Sequence, residues 1–184
     1  MAVLSKKDVE DTIAGKGDYV KIDHLTRFLT KSPPLEVKKF IYLELGEVYK
    51  DKGMYSEAAK YFGFLGELVL TFREKINFFI KECELHIQAG NFGMADNSFK
   101  KIMHVTNEKE IVVAKRHIHD FYIDLARKYE KADRRIQAIK VYEKILELTL
   151  SDEVDKKNAK MSLMNLYEKT GRMREYFKMK QQLG

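Results

Sequence analysis

Apolar residues recur at helical spacing along almost the whole chain. The clearest run is Tyr42, Leu45, Gly46, Tyr49, Gly53, Tyr55, Ala58, Phe62 and Leu65, with steps of 3, 1, 3, 4, 2, 3, 4 and 3 residues. Those steps describe two amphipathic helices joined by a short glycine-containing turn. Breakers and caps divide the rest in the same way. Ser5, with Asp8 three residues on, caps a helix over 5–14, which Gly15-Lys16-Gly17 ends. Asp18 is expected to cap a helix over 19–31 with Ile22, Leu25, Phe28 and Leu29 on one face, and Ser32-Pro33-Pro34 stops it. Pro34 is placed to start the next helix. Helices follow at 35–51, 55–70, 72–89 (capped by Thr71 with Glu74), 92–105, 108–131, 134–150, 153–170 (capped by Ser151) and 172–182. The pattern therefore predicts an all-α chain of about ten helices, with no strand signal and no linker long enough to separate two domains.

The first pair of helices has copies. Aligned on the turns, the second carries Phe79, Glu82, Cys83, His86, Gly90, Phe92, Ala95, Phe99 and Ile102. The third carries Tyr122, Leu125, Ala126, Tyr129, Asp133, Arg135, Ala138, Tyr142 and Ile145. The fourth carries Lys160, Leu163, Met164, Tyr167, Gly171, Met173, Tyr176, Lys180 and Leu183. Small residues (Gly46, Cys83, Ala126 on the first helix; Ala58, Ala95, Ala138 on the second) let the two helices of a pair approach closely. The aromatic residues Phe62, Phe99 and Tyr142 fill the space between pairs. The last copy lacks both the small residue (Tyr176) and the aromatic (Lys180), as a polar terminal cap would.

This set resembles the tetratricopeptide repeat: a large residue, Leu, Gly/Ala and Tyr on one helix, then Ala, Phe/Tyr and an apolar residue on the next. The copies are 37, 43 and 38 residues apart, against about 34 for the family, so the extra residues lengthen helices, above all 108–131. The resemblance implies a right-handed α-solenoid of antiparallel helix pairs. It implies one domain over 1–184: a degenerate capping pair at 1–34, repeats at 35–70, 71–107 and 108–150, and a terminal degenerate repeat at 151–184.

In that family the first helices line a concave groove. The matching positions here form an apolar row of Leu43, Ile80, Ile123 and Met161. A second row is Glu47, Glu84, Arg127 and Asn165, and a third is Phe40, Asn77, Asp120 and Asn158, with Lys81 and Asp124 beside the apolar row. An apolar ladder flanked by charge suits an amphipathic helix or extended peptide of a protein partner. The alternative is that the ladder packs inside the array, and solvent exposure of its four residues separates the two. Leu43, Glu47, Asp120 and Asp124 stand where carboxylate-clamping grooves of the family carry Lys, Arg or Asn, which argues against an acidic peptide tail as ligand.

Composition adds limits. Hydrophobic residues make up 45% and charged residues 34%, which supports a packed core and argues against disorder. There is no apolar run long enough for a transmembrane helix, the N-terminus is too polar for a secretory segment, and the lone Cys83 has no internal disulfide partner. A cytoplasmic location is expected from this. The net charge of +6 is uneven: residues 1–110 hold 17 basic and 17 acidic side chains, residues 111–184 hold 17 and 11. Lys115, Arg116, Arg127, Lys128, Lys131, Arg134, Arg135, Lys156, Lys157 and Lys160 could form a patch for nucleic acid, RNA above all, as the alternative function. The interleaved Tyr122, Tyr129, Tyr142 and Tyr167, however, fall on packing positions. Self-association through an unfinished end pair is a further expectation.

No catalytic, cofactor or metal residues are assigned. Cys83 and His86 lie three apart on one helix but on packing positions, so they read as a buried thiol and a core histidine. His117 and His119 point to different faces and read as surface residues. There is no glycine-rich phosphate loop and no nucleophile with a matched base. The function expected is a non-catalytic adaptor or scaffold.

Overall fold

The structure, a computed structural model, describes residues 4–148 and 153–183. Among these there are ten helices and no strand: α1 (Lys6–Ile13), α2 (Asp18–Thr30), α3 (Leu35–Asp51), α4 (Tyr55–Leu68), α5 (Phe72–Gln88), α6 (Phe92–Val105), α7 (Glu108–Lys131), α8 (Arg135–Glu147), α9 (Glu153–Lys169) and α10 (Met173–Leu183). The chain divides into two compact units, Met1–Thr106 and Asn107–Gly184. The division falls on the break between the second and third sequence copies. In the first unit α1 packs on α2 and α3, and each helix from α2 to α5 packs on its successor. In the second, α7 packs on α8, α8 on α9 and α9 on α10. Consecutive packing of this kind is compatible with a helical repeat.

Side-chain capping sets the starts of α1, α5 and α7. Ser5 and Asp8 form a reciprocal box, as do Asn107 and Glu110, and the Thr71 hydroxyl accepts from the Glu74 N–H while donating to its carboxylate at 2.6 Å. One expected cap shifts by a residue, while α3 begins at Leu35 as expected. Gly17, not Asp18, is the N-cap of α2, and Asp18 becomes the first helical residue, where its carboxylate favours the positive helix end and lies 3.5 Å from Lys52. Pro34 is the N-cap of α3 and Leu35 its first residue. The expected Ser151 cap lies outside the described residues.

The four copies share one turn. Gly53, Gly90 and Gly171 have φ of 72°, 75° and 71°, and Asp133, at the same place in the third copy, has 55°. That left-handed step lets the N–H of the following residue reach back to a carbonyl five residues earlier. Met54 donates to Tyr49, Asn91 to His86, Arg134 to Tyr129 and Arg172 to Tyr167, at 2.8–2.9 Å. This closure satisfies carbonyls that a helix end otherwise leaves open. Asp is among the few non-glycine residues that tolerate the conformation, and the Asp133 carboxylate is held by Arg135 at 2.7 Å.

The packing positions are filled as their sizes suggest. Gly46, Ala58, Cys83, Ala95, Ala126 and Ala138 are all buried. The Phe62 ring covers Gly46, where an added Cβ would sit 3.0 Å from it, and the Cys83 thiol donates to the Ala95 carbonyl at 3.4 Å. Phe62 and Tyr142 are buried and Phe99 is half-buried. In the last copy Tyr176 is half-buried and Lys180 exposed.

One contact has no counterpart in the spacing pattern. Gly63 and Gly66, three residues apart on α4, face Glu82 and Phe79, three residues apart on α5. A Cβ at Gly66 would lie 2.3 Å from the Phe79 ring, and one at Gly63 would lie 2.8 Å from the Glu82 carboxylate. Glu82 is buried and receives both bonds of Lys101, at 2.9 and 3.0 Å. Burial, opposed by Glu82 and aided by Lys101, lowers the pKa of neighbouring His86.

Gly66→Ala should therefore cost about 2–3 kcal/mol in denaturant unfolding, because a ring must leave its rotamer or the helices must separate. Gly93→Ala, where an added Cβ meets nothing, should gain about 0.5 kcal/mol from helix propensity. Lys101→Ala should cost roughly 2 kcal/mol by stranding the buried carboxylate, and adding Glu82→Leu should recover much of that loss.

Candidate functional site

The candidate groove residues fall in both units. In the first, α3 and α5 carry Phe40, Leu43, Glu47, Asn77, Ile80, Lys81 and Glu84. Leu43 is 37% exposed, although it sits two residues from fully buried Leu45. Ile80 is half-buried beside buried Phe79. The apolar row therefore remains at the surface while the packing row next to it is closed. Phe40 behaves differently. It packs partly buried against the N-terminal cluster of Val9, Leu25 and Ile41, with Lys6 4.7 Å from its ring centre, and so serves the packing of α1 and α2 on α3.

Glu47 is the electrostatic centre of this patch. It accepts from Lys50 one turn along α3 and from Lys81 of α5 at 3.4 Å, tying the two helices together. Lys81 also lies 4.9 Å from the centre of the Phe62 ring. Burial pushes the Glu47 pKa up, but the two lysines outweigh it and hold the carboxyl below its usual value. Asn77 is exposed and Glu84 half-buried on the same helix.

In the second unit α7 carries Asp120, Ile123, Asp124 and Arg127, and α9 carries Asn158, Met161 and Asn165. Here the predicted residues converge on a concavity. A pocket of about 310 Å³ is lined by Ile123 and Arg127 of α7, Tyr142 and Ile145 of α8, and Asp155, Asn158, Ala159, Met161 and Ser162 of α9. Met161 is 52% exposed and Ile123 half-buried at its rim, while Ile145 and Ala159 are buried in its floor. Asp120, Asp124 and Asn165 are exposed and do not line it.

The pocket is polar at its margins. Tyr142 donates to Glu130 at 2.9 Å, and its phenol is raised first by burial and then by that carboxylate, with Ser162 and Arg127 acting the other way. The Arg127 side chain is exposed and forms no ion pair with a carboxylate among the described residues. Asp155 approaches His119, whose Nε2 lies 3.4 Å away, and the other ring nitrogen is 3.5 Å from Asp120. His119 is buried, which corrects its reading as a surface residue. Its place on α7 brings it under Asp155 of α9, a contact spacing alone does not reveal. His117 is exposed as expected.

Cys83 and His86 are both buried, and burial raises the Cys83 thiol far above its ordinary pKa. Among the described residues no group of three His, Cys, Asp or Glu side chains converges as a metal site would, and no helix is long and apolar enough to cross a membrane. Comparison with protein-family models, with curated proteins and with solved structures finds no match to this chain.

Because the folded-state pKa of Glu47 lies below its unfolded value, its stabilisation is present above the unfolded pKa and lost as pH falls through the folded one. Thermal unfolding of the native chain and Glu47→Gln, compared at about pH 7 and about pH 3, should show the native chain losing more stability than the variant on acidification.

Proposed function

We propose that this chain is a non-catalytic protein-interaction adaptor of tetratricopeptide type. In this reading it is a right-handed solenoid of antiparallel helix pairs, acting in the cytoplasm, that takes a helix or extended segment of a partner protein along its first helices. The observation that supports the reading is the exposure of the apolar row. Leu43 and Met161 are exposed and Ile80 and Ile123 half-buried. The pocket beneath Ile123 and Met161 is the size of a site for one or two side chains. The nucleic-acid alternative rests on charge alone, since Tyr122, Tyr142 and Tyr167 are buried and Tyr129 half-buried, which removes them as base-stacking platforms.

Affinity capture from native lysate, washed at about 0.5 M salt to release polyanions, should retain a protein on the native chain and lose it on Ile80→Asp/Ile123→Asp. Circular dichroism should show that variant still helical. An unchanged captured set, or one released by nuclease, would sink the adaptor reading.

A further inference from the structure

We propose that the cleft between the first two turns of α9 and the last turn of α10 binds a phosphate group, either free orthophosphate or the phosphoryl group of a small phosphomonoester. The cleft has a volume of about 300 Å³ and is lined by Glu153, Lys156, Lys157, Lys160, Gln182 and Leu183. It is separate from the pocket beneath Met161, and none of its residues is needed for the adaptor reading.

The charge is the first argument. Lys156 and Lys160 are four residues apart and Lys157 and Lys160 three, so the trio shares one side of α9. Lys156 lies 3.5 Å from Glu153, but the Glu153 side chain is 92% exposed, so water screens that pair. Lys157 and Lys160 form no ion pair among the described residues. Like charges held around one concavity repel each other, and an entering dianion converts that repulsion into attraction. The positive end of the α9 dipole lies at the same end of the helix. The surrounding sequence reinforces the field, with 17 basic against 11 acidic residues over 111–184.

The donor chemistry selects the anion. Three ammonium groups are compact point charges with freely rotating donors, and among the described residues no guanidinium lines the cleft to present the planar fork that matches a carboxylate. A tetrahedral oxyanion accepts from several directions at once and fits such a set. The Gln182 amide supplies a further donor, and Leu183 gives an apolar wall against which the carbon part of an ester can rest. Among the described residues no aromatic side chain lines the cleft, so these residues offer no stacking surface of the kind a single-stranded nucleic acid would use.

The test is titration of the full chain with orthophosphate and, separately, methyl phosphate, followed by calorimetry and by amide shifts of α9 and α10. Saturable binding is expected with Kd near or below about 1 mM. It should weaken with added salt, and for methyl phosphate it should tighten as pH rises through about 6, where a phosphomonoester loses its second proton, with orthophosphate tightening at a higher pH. Lys157→Gln/Lys160→Gln should weaken it roughly tenfold, Lys128→Gln should leave it unchanged, and Glu153→Gln, which removes the carboxylate that lines the cleft among the described residues, should strengthen it. The proposal is overturned by no saturation at about 10 mM phosphate, by an equal response to acetate, or by an equal loss in Lys128→Gln. Binding of an RNA oligomer or an acidic peptide without binding of phosphate overturns it as well.

Discussion

The arrangement of this chain depends on a backbone hydrogen bond made four times. The carbonyls of Tyr49, His86, Tyr129 and Tyr167 each accept from the N–H five residues on, across a residue with positive φ. That bond sets where the second helix of each pair begins relative to the first. Once the offset is set, the small residue of the first helix meets the second helix: Gly46 lies against Phe62, and Cys83 against the Ala95 carbonyl. Side-chain size then determines how closely the helices approach. Three glycines satisfy the backbone requirement without strain. Asp133 satisfies it with a side chain, steadied by Arg135, which is why a turn that lacks glycine keeps the geometry of the other three.

A repeated frame also separates residues that serve the frame from residues that do not. Leu45, Ala58, Phe62, Leu125, Ala126 and Leu163 are buried because the pairs cannot pack without them. Leu43 and Met161, on the same helices, are left at the surface. Polar residues divide in the same way. Glu82 is buried and tied to Lys101, so it belongs to the core, whereas Arg127 and Lys157 keep their charges in solvent or at the edge of a concavity. The surface chemistry of the protein is concentrated in this second group.

The helices and turns were legible in the sequence because their causes are local: a spacing near 3.6, a glycine after the last turn, or a hydroxyl before the first. The copies were legible because the turn constrains residue type four times over. The close approach of Gly63 and Gly66 to Phe79 and Glu82 was not, since glycine inside a helix carries no spacing signal and reads only as a loss of helix propensity. His119 was misplaced for a related reason: its burial depends on Asp155, far along the chain on another helix. The pocket was half legible. Ile123, Arg127 and Met161 came from the repeat register, and Asn158 from a neighbouring row. Asp155 and Ser162 are polar residues whose position on α9 reads as a solvated face until α7 and α8 are set against it.

Cys83 gives the chain a built-in reporter. It is the only cysteine, it is 1% exposed between α5 and α6, and burial suppresses its thiolate. A thiol reagent can reach it only when those two helices part. The rate of its modification therefore reports how often that helix pair opens, whether locally or by global unfolding, without any engineered label.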